Sequence, residues 1–418
     1  MNSRSILLAA PLALLAACGG SNTGSSGTIA GPNNALAQAA PSYAALSMDE
    51  VSADSSTSLT PSTALVAAPA ALGDGCHPHL FIRQREVVER VNRHIYKALF
   101  HVEKALRKLA KSSETSSTWD TVEGGIERKF TVALVPGTTS QYTWELDIGP
   151  QGGTLDVAFQ GQIDRTNATG PHQGTGSFHI DFAKLAVGYP TEKVNQGTLD
   201  VQFDTETSKR QLNVYAYQVA WQLDPTLFAD ANASSAVTAL EAQLRTDSYV
   251  YYREPGKGGS LKIADQMVFL CPDNPSNMLA DAQLITRWYV TGGAVHGRSD
   301  ALMTGGQLTS TQQVVAVTCH QAATDGGDQS EGFWLMKLED GGTVVKSAES
   351  TSGTTPACDT AFGAVPDQND VTGDLVACPT PSPADGNCWP AALSVTTPWS
   401  SGTPAVFANT TPVSFPNM

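Results

Sequence analysis

The stretch Tyr142-Thr143-Trp144-Glu145-Leu146-Asp147-Ile148 decides the fold. Large apolar side chains take every second position and polar ones fill the gaps, which is the two-residue period of a strand with one buried and one wet face. The same grammar extends from Arg128 to Trp221. Phe130, Val132 and Leu134 alternate, as do Leu155, Val157 and Phe159, then Phe178, Ile180 and Phe182, Leu199, Val201 and Phe203, and Tyr215, Tyr217, Val219 and Trp221. Turn formers separate these runs: Pro136-Gly137, Gly149-Pro150 with Gly152-Gly153, Gly170-Pro171, Gly188 with Pro190, and Asp204 to Lys209. Short links between half-apolar strands predict an antiparallel meander of about six strands.

Upstream the period changes. From Ile82 to Lys111, Val88, Val91, Ile95, Ala98, Val102, Ala105 and Leu109 fall three or four apart, and Leu99 and Leu106 widen the stripe. That spacing predicts one amphipathic helix about 45 Å long. The fold class is therefore α+β, mainly antiparallel β-sheet covered by one long N-terminal amphipathic helix. The helix carries nine basic residues against Glu86, Glu89 and Glu103, so it is +6 while the remaining chain is −21 of the total −15. Its polar face is solvated or complements the acidic body; attraction to anionic lipid headgroups is the competing reading.

Downstream, Ala231 to Leu244 reads as a short Ala-rich helix. Strands are expected at Tyr249 to Arg253, Ser260 to Leu270, Leu284 to Val290, Ala294 to Thr304, Gln313 to Cys319, Phe333 to Leu338 and Thr343 to Ser347, with a hairpin at Glu339-Asp340-Gly341-Gly342. These boundaries give a helix-and-sheet domain over 76–290, further strands over 291–350 in the same sheet or a small second domain, and a Cys/Pro-rich, loop-like region over 351–418.

The first residues carry an address. Arg4 precedes an apolar run from Ile6 to Leu15, which ends in Leu15-Ala16-Ala17-Cys18. This resembles the lipobox of bacterial lipoproteins. The resemblance covers about twenty residues of the 418, and none is found for the folded body. It implies that residues 1–17 are removed as a signal peptide and that Cys18 is lipidated on its thiol and acylated at its new amino terminus. The protein would then be held in the bacterial cell envelope, and with Gly19 after the cysteine, at the outer membrane of a Gram-negative cell. Residues 18–75 are rich in Ser, Thr, Ala, Gly and Pro, too poor in large apolar groups to offset the entropy of ordering, and read as a disordered tether with a transiently helical piece at Leu36 to Leu46.

Net charge excludes general binding to nucleic acid phosphates, since the chain carries 40 acidic residues against 25 basic. With Cys18 lipidated, six cysteines remain: Cys76, Cys271, Cys319, Cys358, Cys378 and Cys388. An even number in an exported chain suggests three disulfides among fifteen pairings, and our choice is Cys76 to Cys271, Cys319 to Cys358 and Cys378 to Cys388. No C-x-x-C spacing supports zinc, thioredoxin-like or haem chemistry.

His77, His79, His94 and His101 lie within 25 residues, and imidazoles on one face can bind a metal or haem iron. His94 and His101 are seven apart, however, about 10 Å along a helix and too far to share one ion. Pro255 to Ser260 lacks the spacing of a phosphate loop, Gly170 to Gly176 with His172 reads as a polar strand connection, and no G-x-S-x-G elbow is present. No catalytic, cofactor-binding or metal residue and no cofactor is assigned. Three functions stay open: a non-catalytic envelope protein that binds a partner or an apolar small molecule between sheet and helix, an envelope hydrolase with unidentified residues, and a metal or haem protein using the histidines.

Overall fold

The computed structural model describes residues 36, 38–48, 80–109, 115–190, 194–206, 210–219, 244–254, 258–271, 274–291, 294–306, 308–323 and 330–349. The lipobox, residues 351–418, the segment 220–243 that includes the Ala-rich helix expectation, and Cys76, His77 and His79 lie outside them.

The described chain is mostly antiparallel β-sheet. In order come α1 (Tyr43–Leu46), α2 (Leu80–Leu109), β1 (Ser116–Glu123), β2 (Ile126–Leu134), β3 (Gln141–Pro150), β4 (Asp156–Asp164) and β5 (Thr175–Asp181). They are followed by α3 (Phe182–Gly188), β6 (Thr198–Asp204), β7 (Arg210–Val219), β8 (Arg245–Glu254), β9 (Gly258–Cys271) and β10 (Asn274–Thr291). β11 (Ala294–Thr304), β12 (Gln312–Ala323), β13 (Ser330–Asp340) and β14 (Thr343–Glu349) complete it. Each strand pairs with the next in sequence, so the later strands continue the same sheet.

Register converts the alternation into a core. Trp144 of β3 lies opposite Val132 of β2 and Gly161 of β4, and the row continues through Phe178, Val201, Val214, Tyr249 and Ile263. All except Gly161 are hydrophobic and at most 2% exposed, and each such side chain contributes about 1.5–3 kcal/mol through burial. Gly161 leaves the space that the Trp144 indole fills, because a Cβ there would overlap the indole ring. Trp144 stacks on Phe159 with ring centroids 4.8 Å apart. The alternate positions Gln141, Thr143, Glu145 and Asp147 point to the other face.

Helix α2 shares this core. Val87, Val88, Val91, Ile95, Leu99 and Val102 are buried in the same cluster as the sheet's inner row. With Gln84, Arg90, Asn92 and His94 also buried, more than half of the helix circumference faces protein. Tyr96 and Phe100 mark the side left to solvent. No helix of the described residues is long and apolar enough to cross a membrane.

Four expectations change, the first being that Tyr215 and Tyr217 of β7 take the outer face while Leu212, Val214 and Ala216 fill the inner one. Residues 36 and 38–48, read as part of a disordered tether, are folded: Leu36, Ala39, Ala40, Leu46 and Met48 are at most 4% exposed. Small residues there hide the signal, since the hydrogen bonds that order the segment come from distant side chains. Arg165 donates to Gln38, His172 to the Ala40 carbonyl at 2.8 Å, and Arg210 to the Ser47 carbonyl at 2.7 Å. The strand expected through Phe182 stops one residue earlier. Asp181 caps α3 by accepting from the Lys184 amide at 3.1 Å, and Phe182, Leu185 and Gly188 are buried at helical spacing. Finally β1, Ser-Ser-Thr-Trp-Asp-Thr-Val-Glu, is a strand without a two-residue period in its sequence, because its apolar residues Trp119 and Val122 do not alternate. The Gly341-Gly342 hairpin is where the sequence places it, with φ of 57° and 80° as the tight turn requires.

Candidate functional site

Two constellations of polar side chains stand out. One is buried between α2 and the sheet, and the other runs across the outer face.

The buried one arises because Arg90, on the core side of α2, reaches the inner face where β8 and β9 switch from apolar to charged residues. Its guanidinium pairs with the Asp265 carboxylate and donates to the Tyr249 hydroxyl at 3.2 Å. Arg245 donates to the other Asp265 oxygen at 3.1 Å, and the Tyr249 hydroxyl donates to Asp265 at 3.3 Å. Asp247 completes the group on β8, only 3% exposed. Burial opposes the Asp265 charge, but Arg90 and Arg245 outweigh it and hold its carboxyl below the ordinary range. Asp247 moves the other way: burial first, then the neighbouring Asp265 charge, push it up to about 8. It therefore holds a proton near neutral pH and shares it with Asp265.

The outer constellation is a row of direct cross-strand neighbours. Glu145, Gln160, His179, Asp200 and Tyr215 face one another in register from β3 to β7. The His179 Nδ1 donates to the Asp200 carboxylate at 2.8 Å, and both residues are less than a tenth exposed although they sit on the outer face. Beside them, partial burial raises the pKa of Glu145 and that of Asp147, and the two carboxyls share a hydrogen bond. A carboxylate-oriented imidazole is a proton-handling pair by chemistry, and the surrounding amides and hydroxyls suit a polar ligand. Sequence reasoning missed both groups. The outer row occupies the unremarkable polar half of each alternation, and only register makes its members neighbours.

The residues that sequence singled out are placed differently. His94 is 2% exposed, its Nδ1 donates to the Arg90 carbonyl at 2.6 Å, and burial drives its imidazole down to about 3. It is thus a neutral ring packed edge-on to Phe182. His101 lies on α2 with its side chain outside the described residues, as are His77 and His79. Among the described residues no three His, Cys, Asp or Glu side chains converge to hold a metal ion. His172 bonds the N-terminal segment and touches no catalytic group in the hydrogen bonds above. Cys271 ends β9, and Cys319 on β12 is 4% exposed. Cys18, Cys76, Cys358, Cys378 and Cys388 lie outside the described residues. No protein family, no curated protein and no solved structure matches this chain.

Proposed function

We propose that this chain is a lipid-anchored envelope protein, cut before Cys18 and acylated there, whose helix-and-sheet body binds a partner or ligand without catalysing a reaction. In a Gram-negative cell, Gly19 directs it to the outer membrane. The lipobox supports the anchor, and Leu36 then begins the folded body within about 65 Å of Cys18 at full extension. The observation that carries the binding role is the filling of the sheet's inner face. The apolar side of α2 shares one core with Trp144, Phe178 and Tyr249. An apolar small molecule would have to take the place of α2, whereas the half-buried Glu145, Gln160 and Tyr215 of the outer row already border the surface, so a polar partner on the outside is the better-supported version.

Native mass spectrometry of the Cys18→Ser protein tests it. A mass without bound lipid, together with loss of membrane association on fractionation, is the expected result. Copurifying lipid would favour the carrier version, and membrane retention of Cys18→Ser would remove the anchor. A hydrolase is the second reading, favoured by the His179–Asp200 pair. Turnover of ester or amide substrates that disappears in Asp200→Asn, with the fold intact, would move it to first place.

A further inference from the structure

We propose that Arg90, Arg245, Asp247, Tyr249 and Asp265 form a proton-dependent latch that holds α2 in the hollow of the sheet and loosens it as the pH rises.

The geometry gives the latch one member on the helix and four on two adjacent strands. Asp265 is the hub, accepting from Arg90, Arg245 and Tyr249. Such a group is costly to bury, and the arrangement repays that cost only while its hydrogen bonds remain satisfied. Two guanidinium groups face two carboxyls, so the charge count alone would let both carboxyls ionise. Position decides otherwise. Among the described residues, the charged and titratable groups acting on Asp247 include Asp265 from β9, Arg90 from α2, and Arg245 and Tyr249 along its own strand, and burial together with the adjacent Asp265 charge outweighs the two cations. With its proton, Asp247 donates to Asp265. Without it, two carboxylates meet in a region closed to water.

Linkage sets the direction. Asp247 has a raised value when α2 is docked and returns to an ordinary aspartate once water reaches it. Its contribution to docking is complete below the ordinary aspartate range and is lost as the pH rises towards about 8. Within that window docking weakens by at most about tenfold per pH unit. A loosened α2 would expose the apolar row of the inner face, which is where the carrier version of the proposed function needs access. The latch itself does not depend on that function.

Hydrogen exchange on the full chain tests it, with protection factors corrected for the intrinsic rate at each pH. Peptides from α2 should lose protection by up to about tenfold per unit between pH 6 and 8, while peptides from β2 to β5 keep theirs. In Asp247→Asn, whose amide still donates to Asp265 but cannot ionise, α2 protection should be flat across the same range. Unchanged α2 protection in the wild-type chain overturns the proposal. So does a parallel loss in α2 and the sheet, or a fall that persists in Asp247→Asn. Should that variant fold poorly, the infrared carbonyl band of a protonated carboxyl in the wild-type chain decides: its loss must track the α2 protection, and its absence at pH 6 sinks the latch.

Discussion

Asn92 of α2 treats the backbone of Met48 as a neighbouring strand would. Its side-chain carbonyl accepts from the Met48 amide at 2.7 Å, and its amide donates to the Met48 carbonyl at 2.5 Å. The N-terminal segment is thereby pinned to the helix across 44 residues of chain. Asn92→Ala removes both bonds and leaves two buried backbone groups without them, which should cost about 1–3 kcal/mol. Denaturant titration measures the loss. Limited proteolysis shows where it falls, and cleavage should appear first around Met48; a variant that loses stability without new cleavage there would contradict the pinning role.

His94 should shape the acid limb of the stability curve. Its folded value is lowered to about 3 by burial, against about 6.5 for an exposed imidazole. The unfolded chain therefore binds the extra proton first, so the His94 contribution to stability falls as the pH drops from about 6.5 towards about 3, against the opposite contribution of Asp247. Asp265 acts in the same direction lower down, since its depressed value makes protonation of the carboxylate costly to the fold. His94→Gln should flatten the upper part of this decline, between pH 6.5 and 4.5, in thermal melts at stepped pH. An unchanged slope there would mean that the imidazole is not a buried neutral ring.

What was readable in the sequence is what repeats. Alternation at Tyr142 to Ile148 survives as a strand because one face meets the core at every second residue, and the Gly341-Gly342 turn is legible because so few residues adopt its backbone angles. Residues 36 and 38–48 were opaque for the opposite reason: Arg165, His172, Arg210 and Asn92 supply their order, and none is near in sequence. The two polar constellations were hidden similarly. Arg90 looks like any other basic residue of a basic helix until its angle on the wheel places it inside. His179 and Asp200 are 21 residues apart and become neighbours only through the β5–β6 register.

The cysteines give a prediction independent of the site. If the body is exported and Cys18 is lipidated, the six others form three disulfides. Thiol counting on the denatured, unreduced Cys18→Ser protein should find none free, and peptide mapping should join Cys319 to Cys358. Two or more free thiols would rule out the full set, while a different partner for Cys319 would correct the pairing alone. Reduction should cost about 2–5 kcal/mol for each bridge that closes a loop of the folded body.

Gly161 and Trp144 form a tight steric pair in the sheet. They are direct cross-strand partners, and the indole lies where a Cβ on residue 161 would be. Gly161→Ala must therefore push the indole off its place against Phe159 and Phe178, which should cost about 1–3 kcal/mol in strain and lost packing. Trp144→Leu alone leaves a cavity and should cost about 3 kcal/mol, at the lower end for loss of a large aromatic. In the double variant, the new methyl enters space that the smaller side chain vacates, so the two losses should not add. A double-mutant cycle by denaturant titration should return a favourable coupling of about 0.5–3 kcal/mol. Simple additivity would mean that residue 161 can take a side chain without meeting residue 144, and the register of β3 against β4 would then be wrong.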